Sequence, residues 1–436
     1  MVEATHQDMP IAAAAAGRRA TNSQLVGVIA GSALEIYDFV TYSFFAIQIG
    51  QTFFPSHDPK ISLLASLATF GAGFLTRPIG AIVLGGLGDR VGRKPAMLLS
   101  FALMGAALVG LALTPSFKAI GVAAPVLAVM FRLLQGFSLG GEIGPSTAFL
   151  FEAAPVNRRG SYVAFQTMGQ DSAVLVAGLI GFGLATVMGA EALRDYGWRI
   201  ALLAGAAIVP FGLVLRARLT ETLRPDEPAP VPDPAGRKRL PPHFRVAVLG
   251  LMMMAAATTV NYVLEYMATY AAGTLHMSTR TAFGATVVLG LTNVCFDPVG
   301  GWLCDRYGRR PVLVLSWIIL LLLIMPCFYA VSHFHNALAL FGAVAVISVP
   351  QSLAGAPMIT SITESLPART RSGVLALVYA LSVAIFGGTA QFNVAWLTGV
   401  THSPLAPGWY MAAGVSIGLI GSLLMRETAP FKQGGL

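Results

Sequence analysis

Apolar runs of about twenty residues recur along the chain, separated by short polar or Gly- and Pro-containing breaks. Twelve can be drawn, roughly over 24–54, 62–85, 96–115, 121–152, 160–188, 199–215, 246–272, 281–303, 312–331, 337–364, 373–399 and 409–425. At 1.5 Å of rise per residue, a helix of about 20 residues crosses a hydrocarbon core about 30 Å thick. A segment in lipid must satisfy its own backbone hydrogen bonds, so the pattern predicts helices. Runs longer than the minimum imply tilt or kinks. The expected fold class is an all-α membrane protein with twelve transmembrane helices.

Composition narrows the class. Hydrophobic residues make up 55% of the chain and charged residues 11%, against about 25% charged in a soluble domain. A formal charge of +8 suits a nucleic-acid surface only if the basic residues gather on one face. They sort by side of the membrane instead. With the N-terminus inside, 21 of 28 Lys and Arg fall in cytoplasmic segments, five in outer loops, and two, Arg77 and Arg132, inside helices. That excess marks the cytoplasmic face. Both termini are expected there, with the lipid bilayer as partner and no nucleic acid. Residues 1–23 lack the hydrophobic region and cleavage site of a signal peptide, so the first membrane helix is expected to direct insertion. Cys295, Cys304 and Cys327 are odd in number and lack CxxC or His pairing. They read as small apolar filler, neither a disulfide framework nor a metal site.

The chain also repeats itself. "GGLGDRVGRK" (85–94) returns as "GWLCDRYGRR" (301–310), with Asp89 and Asp305 offset by 216. Glu152-x-x-Pro155 returns as Glu364-x-x-Pro367 at an offset of 212, and Gly197-Trp198 as Gly408-Trp409 at 211. Three ordered pairs at nearly one offset indicate a duplicated six-helix half. The halves are expected over 24–216 and 245–425, joined by a Pro-rich, charged cytoplasmic linker (217–244) and flanked by cytoplasmic tails (1–23 and 426–436). Two membrane halves joined this way form a cleft near the bilayer midplane, a recurrent substrate site.

On these features the chain resembles the major facilitator superfamily over essentially its whole length. "GSALEIYDFVTYSFFA", "FLTRPIGAIVLGGLGDRVGRK", "FRLLQGFSLGGEIG" and "FEAAPVNRRG" are similar to the metabolite:proton symporter subfamily. "TAFLFEAAPVNRRGSYVAFQTMGQ" and the following "AVLVAG" look most like its citrate and tricarballylate carriers. The resemblance implies a proton-coupled secondary transporter that imports a small organic di- or tricarboxylate, citrate or a close analogue, by alternating access. No cofactor beyond the coupling proton is implied, and a monomer is expected. Other members carry 2-oxoglutarate, shikimate, or proline and betaine, and sodium coupling or export are further readings. No HExxH, P-loop or GxSxG motif occurs, so no enzyme is expected.

The resemblance further implies that Asp89 accepts hydrogen bonds from the start of helix 11, with Arg93 and Glu152 completing a cytoplasmic latch. Asp305, Arg309 and Glu364 would do the same against helix 5. On the residues alone, these charges also suit a tight turn that stops transfer.

Ionisable residues inside membrane helices are costly unless they pair or function. Glu35, Asp38, Arg77, Arg132, Glu142, Asp171, Glu265 and Asp297 are of this kind. A carboxylate opposite an arginine can alternate between paired and protonated, so Asp38 and Arg132 are the candidate proton-coupling pair, with Glu35 as the other acid. The superfamily's sugar carriers have an acid in helix 1 and an arginine in helix 4 at the matching positions; a static ion pair is the plain alternative. Arg132, Arg77, Gln166, Gln170, Tyr42, Asn261, Tyr262 and Asn393 are the candidate substrate ligands, because guanidinium and amide groups donate to carboxylates. Arg77 equally suits a tie from helix 2 to Glu35 or Asp171. Asn293 and Asp297, i to i+4 on helix 8, read as structural. Gly136, Gly140 and Gly144 form a ridge suited to close helix contact.

Overall fold

The computed structural model describes residues 29, 33, 36–91, 93–140, 147, 150, 151, 153–217 and 243–432. Glu35, Glu142, Gly144, Glu152 and most of the 217–244 linker lie outside the described residues, as do the side chains of Asp89 and Arg93. Among the described residues the chain runs as twelve successive helices. The first half holds α1 (36–44 and, past a turn at Phe45, Ala46–Phe53), α2 (Pro59–Leu75 and Arg77–Val91), α3 (Arg93–Leu113), α4 (Ala123–Leu139), α5 (Arg159–Val187) and α6 (Trp198–Ala217). The second holds α7 (His243–Gly273), α8 (Thr279–Tyr307), α9 (Arg309–Phe334), α10 (Ala337–Glu364), α11 (Ala368–Ser382, a π turn over Val383–Gly387, then Gly388–Thr401) and α12 (Ala406–Leu424). By length and hydropathy, eight described helical stretches are long and apolar enough to cross a membrane, and two shorter apolar ones accompany them.

Local chemistry marks the helix ends. Asp58 accepts from the Lys60 amide ahead of Pro59 at the start of α2. Ser278 and Asn336 accept from the Thr281 and Ala339 amides and so cap α8 and α10. Pro78 has no amide to offer the Phe74 carbonyl, so α2 breaks at Thr76. The Thr76 hydroxyl turns to the Leu133 carbonyl of α4 instead, at 2.6 Å. Between α8 and α9, Gly308 takes φ of +104°, where a side chain is unfavourable. The glycine of the second charged loop is thus a requirement of the turn.

Polarity is distributed inside out relative to a soluble protein. Ile82, Leu338 and Val187 are 76%, 82% and 86% exposed, as befits side chains meeting lipid. Arg77, Arg132, Gln166, Glu265, Asn293, Asp297 and Gln391 are buried. Tight helix contact makes this possible in the first half. A Cβ on Gly136 would run into the Gly73 carbonyl, and one on Gly140 into the Arg77 carbonyl, so α4 rests on the backbone of α2.

The halves meet chiefly through α5 against α8 and through α2 and α1 against α11 and α7. Gly178 and Gly181 of α5 face Thr286 and Phe283 of α8. A Cβ on Gly71 would lie 2.5 Å from the Gly388 carbonyl. The Phe45 and Phe283 rings are 4.8 Å apart. Gln391 donates to the Ser43 hydroxyl at 2.6 Å and to the Tyr262 carbonyl at 3.2 Å. At the end bearing the charged loops, α5 again meets α8, through Gly160 and Gly301. Contacts therefore lie on both sides of the middle of the interface.

Candidate functional site

Between these contacts lies a cavity of about 130 Å³, lined from both halves. Helix α5 contributes Gln170 and Asp171, α7 contributes Asn261, Tyr262 and Glu265, and α8 contributes Asn293 and Asp297. Gln351 and Ser352 come from α10, Tyr379 from α11, and Ile36, Phe39 and Val40 from α1. Three carboxyl groups face the space, and no Lys, Arg or His among the described residues lines it.

Hydrogen bonds order the polar wall. Asn261 donates to Glu265 one turn on, at 2.8 Å. Asn293 donates to Asp171 across the interface at 3.0 Å and accepts from Ser352 at 2.9 Å. Asp171 of α5 and Asp297 of α8, from opposite halves, both line the cavity. Asp297 Oδ2 is buried without a partner.

Beside the cavity is a layer of arginines and rings. The Arg132 guanidinium lies 4.3 Å from the Phe39 ring, 4.4 Å from Tyr42 and 5.3 Å from Phe70. Arg77 lies 4.6 Å from both Phe39 and Phe74. Ring faces attract cations, which holds both charges in an otherwise apolar layer. Arg132 Nη1 donates to Gln135 at 2.8 Å, while its Nε and Nη2, and Nε of Arg77, are buried without partners. Phe39 carries both guanidiniums and also lines the cavity. Next to it in sequence, Asp38 is 1% exposed and neither carboxyl oxygen has a hydrogen-bond partner. Asp38 and Arg132 are electrostatically coupled, yet no ion pair joins them within 4.0 Å.

Of the candidate ligands, the structure places Gln170, Asn261 and Tyr262 on the cavity wall. Arg77 and Arg132 sit one ring away, and Tyr42 points its hydroxyl at the Ser66 carbonyl. Gln166 accepts from Thr147 at 3.0 Å, and Asn393 donates to Tyr410 at 3.2 Å; neither faces the cavity. Arg77 makes no ion pair to Asp171. Asn293 and Asp297, read from sequence as structural, also line the cavity. Gln351, Ser352, Tyr379 and Gln391 escaped sequence reading, because a lone polar residue in an apolar helix carries no sign of which way it faces. Asp171 was legible as a membrane acid but not as a cavity group.

A second constellation sits at the end bearing the charged loops. Asp305 Oδ1 accepts from the Gly160 amide, and Oδ2 from the amide and hydroxyl of Ser161, all at 2.8 Å. These are the first free amides of α5, where a carboxylate also meets the positive end of the helix dipole. Arg309 forks onto Glu364 at 3.1 and 3.2 Å and lies 3.5 Å from Asp305. Arg159 of the first half is 3.7 Å from Glu364. Glu427, after α12, accepts from the Arg309 and Arg310 amides at 3.0 and 3.2 Å and so caps α9.

Twelve helices in two halves, a polar cavity at their interface and polar groups hidden from lipid define a multi-pass membrane transport protein rather than an enzyme. The profile of the Major Facilitator Superfamily matches residues 28–390 and, again, 247–432, and the chain belongs to that family. A citrate-proton symporter of Klebsiella pneumoniae is 35% identical over 410 residues, covering 93% of this chain and 92% of that protein. A proline/betaine transporter of Salmonella typhimurium is 31% identical, covering 92% of this chain and 82% of that protein. A crystal structure of a D-xylose-proton symporter shares the fold, with a TM-score of 0.74 at 19% identity over 94% of this chain and 98% of that one.

Proposed function

We propose that this protein imports a small organic di- or tricarboxylate, citrate or a close analogue, together with protons, by alternating access across a bacterial inner membrane with both termini in the cytoplasm. Asp38 carries the reading. It is buried without a donor, beside an arginine with two unpaired nitrogens, in a chain whose relatives include a citrate-proton symporter of similar length. A buried carboxylate with no donor is costly, so this conformation suits the neutral acid. When Asp38 ionises it draws on Arg132; when it is protonated, Arg132 is released to an anion. Rotation of Phe39 exposes Arg132 and Arg77 to a carboxylate in the cavity, where the arginine fork fits two carboxylate oxygens. Gln170, Asn261 and Tyr262 then hold the remaining oxygens. Asp305, Arg309 and Glu364, with their counterparts Asp89, Arg93 and Glu152, gate the cytoplasmic side by fastening one half to the other. The carrier acts as a monomer and needs no cofactor besides its coupling proton.

The test is uptake of labelled citrate, tricarballylate, 2-oxoglutarate, shikimate, proline and betaine into proteoliposomes, with a pH gradient or a sodium gradient imposed. Carboxylate uptake driven by protons supports the reading. A second reading, a zwitterionic amino acid or betaine as cargo, is favoured by the three carboxyl groups and two tyrosines on the cavity wall, with no basic side chain beside them among the described residues. Proton-driven uptake of betaine with no citrate uptake would select it.

A further inference from the structure

We propose that Gln391 is the latch that closes the cavity on the side away from the charged loops, and that its release from Ser43 lets α1 and α11 part there. The inference rests on the transport reading for its purpose, but the bond itself can be tested without any cargo. Polar bonds cross between the halves at three levels among the described residues. Asp305 holds the start of α5 at the charged loops, and Asn293 of α8 holds Asp171 of α5 at the cavity. At the third level, Gln391 of α11 donates to the Ser43 hydroxyl of α1 at 2.6 Å, across 348 positions of sequence. Val40 and Val383 line the cavity, and Ser43 and Gln391 lie about one and two turns beyond them along α1 and α11. The Gln391 amide nitrogen also donates to the Tyr262 carbonyl of α7 at 3.2 Å, so both of its hydrogens are engaged.

Local irregularities place both partners. The π turn over Val383–Gly387 takes in an extra residue and so turns everything after it about the axis of α11. Gly388 then backs onto α2, where its Cβ would lie 3.2 Å from the Gly71 carbonyl, and Gln391, nearly one turn on, faces α1. On the other side of the bond, α1 turns at Phe45, two residues past Ser43. Gly387 lies against Tyr262, with a Cβ there 2.5 Å from the ring. That ring meets Phe70 and Phe74 of α2 edge-on. Because Tyr262 also lines the cavity, the latch is fastened to a wall residue of the cargo space.

The energetics suit a bond that must be made and broken in each cycle. Gln391 and Ser43 are both fully buried, and a hydrogen bond in a dry seam is stronger than one in water. The oxygen of the same amide, Oε1, is buried without a partner. Such an acceptor is costly while the seam is dry and is satisfied once water enters. Closure therefore sets one bond between the halves against one unmet acceptor, and a displacement of the Tyr262 wall tips the balance. Neither partner titrates, which separates this latch from Asp38 and from the charged loops.

Distances between spin labels on the full-length protein in lipid test this directly. Labels on Gln51→Cys and Val400→Cys, both exposed near the ends of α1 and α11 away from the charged loops, report that side of the seam, with Cys295, Cys304 and Cys327 replaced by alanine. With the latch intact the short distance should dominate. Gln391→Leu keeps the bulk but has no donor, and it should raise the ratio of long to short distances about fivefold, the loss of one hydrogen bond. Ser43→Ala should shift the ratio in the same direction. The double variant should go no further than the larger single change, because both remove the same bond. A ratio unmoved in both single variants, shifts that add, or a long distance that already dominates with the latch intact each overturns the proposal. If Gln391→Leu does not purify as a monodisperse protein, Ser43→Ala decides alone. In citrate flux measurements, Gln391→Leu should slow uptake and keep the order of preference among carboxylates; a changed order would make Gln391 a cargo ligand and overturn the latch. Should citrate not be carried at all, the distance result still decides the latch.

Discussion

Asp305 grips Ser161 twice, accepting from its amide and its hydroxyl through the same oxygen at 2.8 Å. The two residues belong to opposite halves of the protein, 144 positions apart. This contact ties an acid of the repeated loop to the free amides at the start of a helix, and it gives the repeated motif a physical use that a loop merely holding charge would lack.

Asp305→Asn should loosen that tie. Hydrogen bonds to a charged group are worth roughly 1.5–3 kcal/mol each, and the amide retains only part of this. Deuterium exchange at Gly160 and Ser161 should quicken, and citrate uptake should slow without a change in which carboxylates bind. Unchanged exchange together with altered substrate preference would count against a gating role.

Asp38→Asn should abolish proton-driven accumulation while counterflow continues. The amide imitates the neutral acid but has no proton to release. Continued accumulation against a gradient in this variant would move the coupling role elsewhere, with Glu35→Gln next.

Arg132→Lys should weaken citrate binding about tenfold or more, equivalent to about 1.4 kcal/mol. Lysine keeps the charge but loses the planar fork and much of the stacking on Phe39, Tyr42 and Phe70. Calorimetric binding equal to wild type would make Arg132 a packing residue.

Gly136→Val should lower thermal stability by roughly 1–3 kcal/mol or more, because any Cβ there meets the Gly73 carbonyl. A Cβ on Gly183 would have nothing within 4 Å of it, so Gly183→Ala should be neutral or stabilising, as expected for alanine in a helix. A melting temperature for Gly136→Val equal to wild type would mean that α2 and α4 separate easily.

Much of the architecture was legible because lipid imposes a one-dimensional rule. A helix must be apolar for about 20 residues to cross, so the number of spans is written in linear order. The repeat was equally visible, since matching motifs at 89 and 305 need only be laid side by side. A close approach of α4 to another helix was foreshadowed by the spacing of Gly136 and Gly140, though not that the partner is α2. Arg132 and Asp38 stood out for a similar reason: a charge inside a membrane helix demands an explanation wherever it points.

What the linear order could not carry was which buried polar groups share a space. Whether Asn293 faces its own half or meets Asp171 depends on the rotation of α8 about its axis and on the approach of α5, and packing between halves decides both. The same holds for Phe39, whose aromatic side chain looks like ordinary membrane filler until two guanidiniums are found against it. Gln166 and Gln170 are one turn apart, yet only Gln170 lines the cavity. Sequence determined the helices, the duplication and the presence of costly charges, because those follow from the transfer of each residue into lipid. Tertiary structure decided the partners of those charges, because hydrogen bonds and ion pairs depend on ångström distances between helices far apart in the chain.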